Sequence, residues 1–72
     1  MIPLTMAGEG IELSIEMIRG RDDTRRHLEE LGLVVGEHVS VVTSLAGNLI
    51  LQVKDSRIAL DRGLCARIMV SM

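Results

Sequence analysis

Phenylalanine, tyrosine and tryptophan are all missing from this chain of 72 residues. An interior must therefore be built from Ile, Leu, Val, Met and Ala. Modules that grip single-stranded nucleic acid, proline-rich peptides or methylated lysine on aromatic platforms lose support for the same reason. Cysteine is nearly missing too: Cys65 stands alone, so no internal disulfide can form, which is consistent with a reducing compartment. Basic residues are not in excess. Eight Lys and Arg face ten Asp and Glu for a formal net charge of −2, unlike a surface made to neutralise phosphates, so nucleic acid is not an expected partner. No stretch approaches the ~20 apolar residues of a membrane span, and the first residues lack the charged start and long apolar run of a signal peptide. The expectation is a cytoplasmic protein with no direct membrane insertion.

What is present suffices for one small core. Apolar residues make up 47% of the chain against 25% charged, which fits a single folded domain over residues 1–72 rather than a disordered segment. At this length folding buries only about 60% of the unfolded chain's surface, so stability should be marginal. The lead-in Met1 to Met6 is read as a segment packing across the core. Ile11, Leu13, Ile15 and Met17 then alternate with polar residues as a first strand, apolar side inward. Asp22 or Asp23 can accept a backbone hydrogen bond at the start of a short helix running from about Asp23 to Leu31, with Leu28 and Leu31 on its inner side. Asp22 with Arg26, and Arg26 with Glu30, are spaced for i,i+4 ion pairs on its wet face. Gly32 suits the left-handed residue of a Schellman cap, with Leu33 folding back onto Leu28.

Beyond that corner, Val39, Val41 and Thr43 predict a second strand. Ala46-Gly47-Asn48 predicts a hairpin loop, Leu49, Leu51 and Val53 a third strand, and Asp55-Ser56 another turn. Ile58 and Leu60 mark a short fourth strand. Asp61 can cap a helical turn over Arg62 to Ala66, weakened by Gly63, and Ile68 and Val70 make the last strand with Met69 facing the other way. These elements describe a mainly β fold: a five-stranded antiparallel barrel of SH3-like type, with one short helix after the first strand and a helical turn before the last. Closure is the economical way to bury one sheet face and remove edges in so short a chain.

Chemistry is less visible. No Gly-x-Gly-x-x-Gly or Gly-x-x-x-x-Gly-Lys-Ser/Thr run occurs, so no nucleotide or other cofactor is expected, and no catalysis. Cys65, between Leu64 and Ala66 with no histidine near it in sequence, reads as a small core residue. A closed transition-metal site wants about four converging ligands. His27 and His38 flank the corner on separate elements, and neither Cys-x-x-Cys nor His-x-x-x-His occurs, so both read as ordinary histidines and no metal site is assigned. Arg19, Arg21, Arg25 and Arg26 could form an anion-binding patch, but Asp22, Asp23, Glu29 and Glu30 lie among them and favour a solvated face.

The pattern Gly8-x-Gly10-Ile11-x-Leu13-x-Ile15, then Arg25-Arg26-x-Leu28-x-x-Leu31-Gly32-Leu33-x-x-Gly36-x-x-Val39, then Asp55 through Leu60 and Ala66 through Val70, resembles the FeoA domain family over nearly the whole chain. The resemblance implies an SH3-like barrel and a small cytosolic component of bacterial ferrous iron uptake. Its implied partner is FeoB, a membrane-embedded transporter with a GTPase domain. The same fold occurs as the C-terminal domain of DtxR-type metalloregulators, so metal binding or metal sensing is the alternative function. With a protein partner as the leading reading, Val34 and Val35 become candidate contacts: they are adjacent, and at most one is expected to point inward. Arg25, Arg26 and Glu29 on the neighbouring helix would supply a polar rim.

Overall fold

The computed structural model, which describes residues 1–72, gathers the period-two segments into one curled antiparallel sheet. Its strands are β1 (Ile2–Pro3), β2 (Leu13–Ile18), β3 (His38–Leu45), β4 (Asn48–Val53), β5 (Ser56–Asp61) and β6 (Ile68–Ser71), in the order β1-β6-β2-β3-β4-β5. A 3-10 turn follows β1 at Leu4–Met6, α1 (Asp22–Glu30) follows β2, and α2 (Arg62–Cys65) lies between β5 and β6. The architecture is the expected SH3-like one, with six strands instead of five. The lead-in does send Leu4 into the core, fully buried, but Ile2 and Pro3 ahead of it pair with Val70 and Met69 and so add a strand. No ladder joins β1 to β5; α2 packs against β4, β5 and the 3-10 turn across the gap.

Two bulges correct the expected inward series. In β2 the register with β6 shifts between Ile15 and Met17, so Ile18, not Met17, returns to the interior, and Met17 is left 41% exposed. Ile11 falls before the strand and is exposed as well. In β3 the register with β4 shifts between Val41 and Thr43, which leaves Thr43 outside although Val39 and Val41 are buried. An extra residue in one strand reverses the side-chain parity beyond it and sharpens the local twist. Strand β4 alternates without interruption, burying Leu49, Leu51 and Val53. Every fully enclosed side chain is apolar or Cys65; no polar residue is buried.

Turns and caps follow local chemistry. Ala46 and Gly47, both at positive φ, form the two-residue connection between Leu45 and Asn48, so Asn48 begins β4 and is not part of the loop. The next hairpin turns at Lys54-Asp55, one residue earlier than expected, because Ser56 is paired with Val53. Asp61 caps α2 by accepting the Leu64 N–H at 2.8 Å, and α2 ends at Cys65, one residue short of the expected Ala66. Gly63 has a packing reason there: a β-carbon would stand 3.2 Å from Asp61 Oδ1, crowding the cap.

The corner after α1 is a Schellman motif. Leu33 N–H donates to Leu28 O at 3.0 Å and Gly32 N–H to Glu29 O at 2.9 Å, with Gly32 at φ +91°. Leu28 and Leu33 are both fully buried, which ties the helix to the sheet interior. Leu31 lies just past the last helical residue and is 36% exposed, so Leu28 alone anchors the helix from within. At the other end the N-cap is Arg21, without a side-chain hydrogen bond; Asp22 and Asp23 sit in the first turn, where Asp23 Oδ1 accepts the Thr24 N–H at 2.8 Å, as expected of one of the two, and both charges complement the helix dipole.

This arrangement predicts unequal leucines. Leu28→Ala should lower the unfolding free energy by about 3 kcal/mol, whereas Leu31→Ala should change it by less than about 0.5 kcal/mol. Urea denaturation of the two variants beside the wild type checks this.

Candidate functional site

Residues 22, 25, 26 and 29 recur at the spacing that places side chains on one face of a helix. In α1, Asp22, Arg25, Arg26 and Glu29 line a shallow hollow of about 220 Å³ with no apolar residue in its wall. The expected Asp22–Arg26 and Arg26–Glu30 ion pairs do not form: ion pairs join only His38 with Glu12 and Lys54 with Glu37. Thus Arg25, Arg26 and Glu29 do come together, with both guanidinium groups exposed and without carboxylate partners.

Val34 and Val35 lie in the turn beyond the cap. Glu37 N–H donates to Val34 O at 3.0 Å with Gly36 at φ +92°, and bonds of 2.8 Å from Gly36 N–H to Ile15 O and 2.9 Å from Ile15 N–H to Glu37 O fasten the turn to β2. Both valines are exposed, Val34 37% and Val35 63%, which agrees with the expectation that at most one would point inward. The core beneath is already filled by Leu28 and Leu33. Neither valine lines the hollow on α1.

A second hollow of about 160 Å³ lies over β3 and β4, lined by Glu12, Glu37, His38, Val39, Ser40, Gln52 and Lys54. His38 Nδ1 stands 3.7 Å from Glu12 Oε2, and Lys54 Nζ 3.4 Å from Glu37 Oε2. The His38 backbone N–H donates to Glu37 Oε1 at 3.0 Å and is the main cause of a Glu37 carboxyl pKa below the ordinary value; partial burial opposes this, and Lys54 adds to the lowering. Sequence reading missed this hollow because its members come from three separate stretches of the chain, residue 12, residues 37–40 and residues 52–54.

Donors for a metal ion do not converge. No three His, Cys, Asp or Glu side chains are placed to hold one, and His27 on α1, His38 on β3 and Cys65 on α2 stay apart. Both histidines are exposed. Cys65 is a fully buried core residue whose Sγ–H reaches Leu60 O at 3.6 Å; burial first, then the charge of Asp61, pushes its thiol up to about 11.

The FeoA domain profile matches residues 2–72. A curated relative from Methanocaldococcus jannaschii that bears the name Fe(2+) transport protein A is 34% identical over 70 residues, covering 97% of this chain and 85% of that protein. The crystal structure of an iron uptake regulatory protein (FeoA) superposes with a TM-score of 0.89 at 33% identity, covering 97% of this chain and 93% of the other. Stenotrophomonas maltophilia FeoA, an SH3 domain protein crystallised with zinc, gives 0.83 at 27% identity, covering 99% and 91%. The likeness extends to ScaR with bound Zn2+, TM-score 0.87 at 22% identity, over 99% of this chain but 36% of ScaR, and there it concerns the fold alone.

Two outcomes follow from these environments. Because the folded Glu37 carboxyl titrates below the ordinary glutamate value of 4.5, its contribution to stability is complete above that pH and is lost as the pH falls through the lower folded value. Glu37→Gln should therefore show a smaller loss of Tm on acidification from pH 6 to about pH 3 than the wild type. Cys65 should resist iodoacetamide at pH 8 in the folded protein and react fully only in denaturant, read by mass spectrometry.

Proposed function

The chain belongs to the FeoA domain family, and on that premise we propose that it is a cytosolic accessory component of ferrous iron uptake that docks on the G-domain region of a FeoB-type transporter. The action is non-covalent: it favours one state of the transporter by binding that state more tightly than the other. Residues 1–72 act as one SH3-like interaction domain.

The observation carrying this reading is the exposed face of α1, where Arg25 and Arg26 stand free of carboxylate partners beside Glu29. Two exposed cations that form no ion pair, next to a corner that also exposes Val34 and Val35, make a polar rim beside an apolar contact. The Schellman cap fixes the direction of this face relative to the sheet, so the docking geometry is held by the fold. A metal-sensing role finds less support, since His38 and Glu12 form the only paired donors of the kind such a site needs.

Binding to the isolated cytosolic region of the cognate FeoB should fall about tenfold or more when Arg25→Glu and Arg26→Glu are combined, equivalent to about 1.4 kcal/mol. Val35→Asp should weaken it independently. Calorimetry or pull-down with purified proteins reads the effect; undiminished binding by the double variant overturns the assignment of the surface, and no binding by the wild type overturns the transporter partner. Titration of Fe2+ and Zn2+ into the same preparation should leave this affinity unchanged.

A further inference from the structure

Beside the start of α1, the β2–β6 part of the sheet carries two arginines that form no ion pair. Beyond the Ile18–Ile68 pair, Arg19 just past the end of β2 faces Arg67 on the approach to β6, with Arg19 N–H donating to Arg67 O at 2.7 Å. Like charges directly opposed on neighbouring strands are destabilising. Neither guanidinium forms an ion pair, and Arg67 is carried along the β2–α1 turn, with Nη1 3.3 Å from where a β-carbon of Gly20 would stand.

The next row on the same face is apolar. Pro3, Met69 and Met17 are in register across β1, β6 and β2. Met69 is 9% exposed yet lies outside the main core cluster, and Met17 is 41% exposed because the β2 bulge turns it outward. Beyond it, Ser71 Oγ–H donates to Glu16 Oε1 at 2.6 Å, closing the apolar row with a polar border. Methionine side chains are flexible and polarisable, and adapt to varied apolar surfaces.

We infer that the outer face of β1-β6-β2 is a docking surface for an amphipathic protein segment that carries carboxylates beside its apolar side. The carboxylates would lie against Arg19 and Arg67, while apolar side chains cover Met17 and Pro3 and the exposed rim of Met69 between them. Nucleic acid fits poorly, because Glu16 borders the row and no aromatic side chain is present to stack a base. A second copy of α1 fits poorly as well: it is acidic enough, but its one core-facing residue, Leu28, is fully buried and leaves no apolar side to offer. The surface shares no residue with the hollow on α1 and stands independently of the transporter reading.

The test uses the full chain labelled at its methionine methyl groups, titrated with a synthetic amphipathic helical peptide bearing leucines on one side and glutamates along their border. Saturable shifts of Met17 and Met69 are expected, and the same peptide with lysines replacing the glutamates should bind about tenfold more weakly or worse. Arg67→Glu and the Arg19→Glu, Arg67→Glu pair should each lower affinity for the acidic peptide about tenfold. Arg67→Glu alone places a carboxylate across from Arg19, so its Tm should equal or exceed that of the wild type, which separates lost binding from lost folding. Equal binding of the two peptides, or shifts confined to α1, overturns the proposal. So does sedimentation showing that self-association alone moves Met17 and Met69, or flotation with phosphatidylglycerol vesicles that bind these residues more tightly than the peptide.

Discussion

Curvature of the sheet is the constraint to which the other features answer. With no ring-bearing side chain available, the interior can be filled only if opposing strands approach closely enough for branched aliphatic side chains to touch across it. The bulges in β2 and β3 supply that bend, since an extra residue on one strand increases the local twist. The result is an interior without a single buried polar residue and without an unsatisfied buried side-chain atom. Its specificity therefore comes from backbone geometry, in the bulges and at Gly32, and not from an internal polar network.

Much of this was legible in the residues themselves. Uninterrupted alternation identified β4, the Leu28-x-x-x-Gly32-Leu33 pattern identified the cap, and Asp61 identified the start of α2. The bulges were not legible, because one inserted residue leaves composition and apparent period nearly unchanged while reversing the parity of everything beyond it. Met17 was assigned inward and Ile18 overlooked for that reason. β1 escaped because two residues have no period at all; only the position of β6 turns them into a strand. Leu31 looked like a partner of Leu28, but the helix stops at Glu30 and the reversal carries it outward.

The surface divided along similar lines. Arg25, Arg26 and Glu29 could be placed together by helix spacing alone. Val34 and Val35 were recognised as unusual, but their shared exposure depends on the Gly36 turn being stitched to Ile15, a contact between distant parts of the chain. Arg19 and Arg67 lie far apart in sequence and become neighbours only through the β2–β6 pairing. Simple spacing reads what one element displays; faces assembled from several strands demand the register.

The shortest strand has an architectural consequence. One border of the sheet is just Ile2 and Pro3, and proline has no amide hydrogen to offer an incoming strand, whereas the opposite border, β5, presents six residues paired on one side only. The molecule is therefore one-handed in its capacity for lateral growth. Of the two borders, β5 offers an incoming strand the longer uninterrupted run of backbone groups, and the two-residue β1 with its proline the shorter.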